Sequence, residues 1–188
     1  MTRSEALKLY KQYNSSENLL RHSLSVEAVM RRFAQELGYD EDFWGNVGLL
    51  HDIDYELYPD EHLQKAPQML KDANVDEQTI RAVLSHGWTI VSDVEPIHPM
   101  EKVLFTIDEL TGLINATALM RPSKSLDDLT VSSVKKKFKT KGFSAQVDRS
   151  IITKGTEMLN LSLDRVIELA IEGMRSIGSE LGFLSLDQ

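Results

Sequence analysis

Apolar positions recur at helical spacing along almost the whole chain, and no stretch sustains an alternation of period two. Met1 to Tyr13 reads as a short amphipathic lead-in helix. Asn14-Ser15-Ser16-Glu17 then offers an N-cap and a first-turn carboxylate to a long helix striped by Leu19, Val26, Val29, Met30, Phe33 and Leu37, which ends at Gly38. Asp40 to Asp42 open a third helix, on which Gly45 and Gly48 let a neighbouring helix come close. Ile53 to His62, with Pro59, predicts a loop leading to a short helix, and Pro67 starts or interrupts another. Asp76-Glu77 opens a helix that Ser85-His86-Gly87 closes, and Trp88 to Pro99 is an irregular rim.

From Met100 the helical pattern returns through Val103, Leu104, Ile107, Leu110 and Ile114, until Arg121-Pro122-Ser123-Lys124 breaks it. A basic helix follows through Val131, Val134 and Phe138 to Gly142. Another is expected from Ser144 to about Lys154, and a last one, capped by Ser162, carries a clean stripe from Leu163 to Ile177. The pattern predicts an all-α bundle, with no repeat and no low-complexity segment.

Composition narrows the class. The chain has 188 residues, 41% apolar and 27% charged, which suits one domain with a sizeable core. A net charge of -8 argues against general nucleic-acid binding, whose affinity comes from basic surface. The absence of cysteine removes disulfides and thiolate ligands, so a transition metal here needs nitrogen and oxygen donors. No apolar run approaches the roughly 20 residues of a membrane span, and the N-terminus lacks a signal-peptide core, so the expectation is a cytoplasmic protein.

Chemistry concentrates where the apolar run Gly48-Leu49-Leu50 ends in His51-Asp52. An imidazole and a carboxylate leaving water side by side can each give a lone pair to a divalent ion. His22 lies within the second helix's stripe; alone it reads as a core histidine bonded to a carbonyl. Asp108 lies among apolar neighbours and must be exposed or paired. Donors from three helices can hold Mn, Fe, Co, Ni, Zn or Mg with positions left for water and substrate.

The order His22, His51-Asp52, Asp108 resembles the H...HD...D signature of the HD-domain superfamily of metal-dependent phosphohydrolases, in its HDIG-like subgroup, over about residues 18–118. The phrases His51-Asp52-Ile53-Asp54-Tyr55-Glu56, Asp108-Glu109-Leu110-Thr111-Gly112-Leu113-Ile114, Arg121-Pro122-Ser123-Lys124 and Val134-Lys135-Lys136-Lys137-Phe138-Lys139 further resemble a little-characterised branch of predicted HD hydrolases. That extends the likeness over a single domain, residues 1–188, with a helical extension from about 122. Asp54 stands where the HDIG motif has glycine. The resemblance implies His22, His51, Asp52 and Asp108 as metal ligands, and a second ion bound through Asp52 and further histidines. Of these, His86 is the leading candidate, either as ligand, as proton donor or as a plain helix-end histidine. His98 is weaker, and His62 is expected at the surface.

The same resemblance implies hydrolysis of a nucleotide or other small phosphorylated substrate by metal-activated water, with Asp52 and His86 in catalytic roles and Glu56 and Asp54 as less suitable acids. Arg121 and Lys124 offer guanidinium and ammonium groups to phosphate, or form a solvated helix terminus. Lys135 and Lys139 share one face of the basic helix, most of which reads as solvated surface. Two other classes stay open: a di-iron oxygenase similar to inositol oxygenase, which needs His86 and another histidine, and a non-catalytic ligand-binding module. Pattern and charge fit either a monomer or a dimer.

Overall fold

In the computed structural model, which describes residues 1–186, the chain is all-α. Its helices are α1 (Arg3–Tyr13), α2 (Glu17–Leu37), α3 (Glu41–Leu50), α4 (Ala66–Asp72), α5 (Glu77–His86), α6 (Pro99–Leu119), α7 (Val131–Lys139), α8 (Arg149–Leu159) and α9 (Leu163–Ser176). A short 3-10 turn, Pro59–Glu61, interrupts the loop before α4.

Local signals explain the boundaries. Ser16 caps α2 by accepting from the Leu19 amide, and Gly38 ends that helix at φ 75°, where a side chain would be strained. Asp40, Asp76 and Ser162 cap α3, α5 and α9 in the same way. The capping boxes fall elsewhere, at Thr2 with Glu5 on α1 and at His98 with Glu101 on α6. Both ends of α8 move: it begins at Arg149 rather than near Ser144, because Asp148 accepts from the Ser150 amide and so supplies the cap, and it runs on to Leu159 rather than to about Lys154.

The central pair is α2 and α6. Val26, Val29, Met30 and Phe33 of α2 meet Val103, Leu104, Ile107 and Leu110 of α6 in a core that Val166, Ile167, Ala170 and Met174 of α9 complete. The helices beyond residue 122 therefore bury their stripes against the same two helices that carry His22 and Asp108. A second cluster joins α1, α3, α4 and α5 through Tyr10, Leu49, Ile53, Leu70 and Ile80. As expected, glycine lets α3 settle on α2: a Cβ at Gly48 would lie 2.9 Å from Met30 Cγ and 3.1 Å from the Glu27 backbone. The buried Asn14 ties α1 to the turn after α3, donating to the carbonyls of Tyr10 and Ile53.

Candidate metal centre

Three elements meet at the centre. α2 brings His22, the C-terminal end of α3 brings His51 and Asp52, and the middle of α6 brings Asp108. His51 is fully buried and its Nδ1 lies 2.7 Å from the Gly48 carbonyl, which can only accept. That bond puts the proton on Nδ1 and leaves the Nε2 lone pair facing inward. Nε2 lies 3.1 Å from His22 Nε2, 3.3 Å from Asp52 Oδ2 and 3.4 Å from Asp108 Oδ1. His22 Nε2 is 2.9 Å from that Asp108 oxygen and 3.6 Å from Asp52 Oδ2.

The other oxygen of Asp52 faces a second pair of imidazoles. His86, at the end of α5, and His62, in the loop after the 3-10 turn, each place Nε2 3.4 Å from Asp52 Oδ1 and 3.3 Å from one another. Their far sides are fixed too. His86 Nδ1 donates to the Val83 carbonyl at 2.6 Å, and His62 Nδ1 donates to Asp54 Oδ1 at 2.8 Å. Asp54 is fully buried and its second oxygen accepts from the Ala66 amide at 2.9 Å. Asp54 thus orients a histidine.

The expectation of a surface His62 is therefore corrected, since its side chain is only 12% exposed. Leu63, next in the chain, takes the left-handed φ of 66° and turns the loop back onto the end of α5. Gly87 makes room for it, because a Cβ there would come within 2.4 Å of Leu63 Cδ1. A sequence signal existed in the buried-type carboxylate eight residues before the histidine, but nothing local says that this loop folds back.

With Nδ1 protonated on His51, His62 and His86, three lone pairs converge on the carboxylate of Asp52. Acceptors facing acceptors in a poorly solvated pocket need a cation. Burial pulls the His51 imidazole down, but Asp52 and Asp108 outweigh it and hold it well above its usual range. Burial would raise the Asp52 and Asp108 carboxyls, yet His51 and the neighbouring imidazoles hold both well below the carboxylate range. A divalent ion satisfies the same demand. Donor atoms bound at about 2.0–2.2 Å stand roughly 3 Å from one another, as the facing atoms do here, so the residues fit an N/O-ligated metal. His22, His51 and Asp108 form one set of suitable atoms, and His51, Asp52 and His86 form another.

Several sequence candidates are placed elsewhere. Arg121 lies more than three turns beyond Asp108, about 20 Å along α6 and its continuation, because that helix runs on to Leu119. Its guanidinium is held by Asp128 at 2.6 Å. Lys135 is paired with Asp164 of α9 at 2.6 Å, and Lys124 sits in the following turn at φ 45°. None of these three, expected as phosphate contacts, lines the cleft over the histidines. Glu56 instead holds the turn before α2, accepting from the amides of Ser15 and Ser16, and His98 caps α6 while packing on Tyr39 and Trp44.

The cleft above the centre has a volume of about 520 Å³. His22, Asp52, His62, His86 and Asp108 form its floor, and Tyr55, Ile90, Val91 and Phe105 form apolar walls. The irregular rim after His86 therefore does border the site. Gln146 and Val147, in the turn before α8, and Ile151 of α8 also reach it. Glu109, beside Asp108, also faces in, and burial together with the Asp108 charge pushes its carboxyl up to about 7. Sequence reasoning assigned it no role, since its neighbour's charge acts on it only once both are withdrawn from water.

Residues 19–131 match the family described as HD domain. Ribonuclease Y from two strains of Staphylococcus epidermidis is in each case 31% identical to this chain over 100 residues, which make up 51% of this chain and 18% of the relative. The chain thus spans less than a fifth of the length of those relatives. No solved structure matches it.

Proposed function

The chain belongs to the HD domain family, and from that premise we propose that it is a metal-dependent phosphohydrolase acting on a nucleotide or other small phosphorylated metabolite. One observation carries the reading: each oxygen of Asp52 faces its own pair of imidazole Nε2 atoms. In this proposal His22, His51, Asp52 and Asp108 hold one ion, and Asp52, His62 and His86 hold a second. A divalent ion in such a site supplies a more acidic water and offsets charge on phosphoryl oxygens.

The protein's own contribution is orientation. The Gly48 and Val83 carbonyls and the Asp54 carboxylate each fix one imidazole tautomer, so the donor atoms are set before any ligand arrives. In this reading His86, bonded to the Val83 carbonyl and beside Asp52, is an ion ligand rather than the proton donor to a leaving group. Tyr55, Ile90, Val91 and Phe105 exclude water from one side of the cleft and offer surface to the organic part of a substrate, whose size the cleft volume suits. The name of the Ribonuclease Y relatives is consistent with phosphoester hydrolysis, but the short overlap does not carry their substrate over.

The test is elemental analysis of purified protein, then phosphate release from nucleotides and phosphomonoesters with added Mn, Co, Ni or Mg. Release that disappears in Asp52→Ala, with helical content unchanged, supports the proposal. His62 and His86 also provide the second set of ligands that di-iron oxygen chemistry requires. Oxygen consumption by iron-loaded protein with no phosphate released would establish that second reading instead. Ligand binding without turnover of any kind would make the domain a binding module.

A further inference from the structure

A second, smaller groove opens beside the cleft just described, between α2, α6 and the turn Leu181–Phe183, with a volume of about 240 Å³. Both hollows have His22 and Gly112 in their walls, so they meet at the metal centre. Their chemistry differs. The larger is half apolar and has no Lys or Arg in its lining, whereas the smaller presents Asn18, Arg21, Ser25 and Asn115. Arg21 is the residue before His22, and its ion pair is a long one, 3.5 Å to a Glu17 side chain that is 85% exposed. Asn18 and Asn115 are exposed on the same groove, and their amides have no hydrogen-bond partner among the described residues.

Gly112 is the second observation. Glycine inside a helix costs about 0.8–1 kcal/mol relative to alanine. At Gly45, Gly48, Gly155 and Gly173 the cost has a packing reason, because a Cβ would come within 2.0–2.9 Å of a neighbour. At Gly112 a Cβ would meet only Val147 Cγ2, at 3.8 Å. Packing does not demand glycine there, yet this is the wall common to both hollows. A longer side chain there would project beside the wall that the two hollows share.

We propose that the smaller groove is the second arm of the substrate site, and that the substrate is a nucleotidyl phosphodiester carrying a further phosphate, which Arg21 binds. This rests on the phosphohydrolase reading above and narrows it. A monoester has one organic group on phosphorus and needs one hollow; a diester has two and needs both. The apolar cleft takes a nucleoside on one side of the scissile phosphate. The amides of Asn18 and Asn115 and the Arg21 guanidinium take the polar sugar-phosphate on the other.

The experiment compares AMP, the dinucleotide ApA and its 5′-phosphorylated form pApA on metal-loaded protein, with ratios taken within each variant so that partial unfolding cancels. Wild type is expected to cleave both dinucleotides and to favour pApA over ApA by about tenfold, the effect of one charge-assisted hydrogen bond. Arg21→Gln brings that ratio to about one, and Arg21→Lys restores part of it. Gly112→Leu lowers turnover of ApA relative to AMP. A hydrolysis-resistant phosphonate analogue of pApA shifts the side-chain amide resonances of Asn18 and Asn115. Turnover of AMP with neither dinucleotide cleaved would overturn this proposal and leave the hydrolase reading standing. No turnover of any of the three while other phosphomonoesters are hydrolysed would likewise overturn this proposal alone, and no turnover of any of these compounds, with bound metal confirmed, would overturn both. A pApA preference that survives in Arg21→Gln, or unmoved amide resonances, would remove the groove from the site.

Discussion

Two groups of ionisable side chains in this molecule are treated in opposite ways. At the junction of α2, α3, α5 and α6, imidazoles and carboxylates are withdrawn from water and aimed at one another, with His51 and Asp54 fully buried. Along α7 the lysines stay solvated or find ordinary partners: Lys135 pairs with Asp164, Lys137 lies over the Phe143 ring, and Lys136 and Lys139 are exposed. The basic helix has the more conspicuous charge, while the junction has the chemistry. Density of charge along a chain reports solubility. A binding centre appears where the fold desolvates polar groups and leaves their lone pairs facing one another.

The strongest way to break that contrast is Asp52→Ala. Both ion sites of the proposed arrangement lose their common carboxylate, so metal content should fall and phosphate release should drop by about a thousandfold or more, equivalent to about 4 kcal/mol. Retained activity would show that the convergence on Asp52 is incidental. Asp54→Asn comes next. It keeps the shape but offers a neutral oxygen or an amide donor to His62 Nδ1, and the expected outcome is a 10–100-fold weaker second ion, read by metal titration.

The pH dependence of stability sharpens the comparison further. In chelated protein the raised His51 imidazole stabilises the fold fully below about pH 6.5, and that contribution is lost as pH rises through its elevated value. Asp52 and Asp108, held low, contribute above about pH 4 and lose that contribution only as pH falls through their depressed values. Above pH 6.5 the melting temperature of chelated protein should therefore decline. With a divalent ion present it should rise over the same interval, since protons compete with the ion for Nε2. Parallel slopes in thermal melts would contradict the metal assignment. The smallest effect belongs to the other region: Lys135→Ala removes a half-exposed pair and should change stability by about 0.5 kcal/mol or less, with KM unaltered. A large rise in KM would return α7 to the binding surface.

Much of this arrangement was legible in the chain. Caps at Ser16, Asp40, Asp76 and Ser162 placed four helix starts, and the apolar stripes placed the core of α2, α6 and α9, because hydrogen bonding and periodicity act over a few residues. His22, His51, Asp52 and Asp108 could be singled out because each stands in or at the end of an apolar run, where a polar group has to be accounted for. The start of α8 was misjudged because the capping Asp148 follows a turn that periodicity does not register.

What only the tertiary structure decided concerns distance. His62 looked like a surface residue until the left-handed turn at Leu63 and the bonds to Asp54 brought its loop onto α5, a return that no local pattern encodes. Arg121 offered a guanidinium to phosphate, but the remainder of α6 carries it about 20 Å beyond Asp108. Local propensity is written residue by residue, whereas the meeting of residues far apart in sequence is settled when the whole core closes around them.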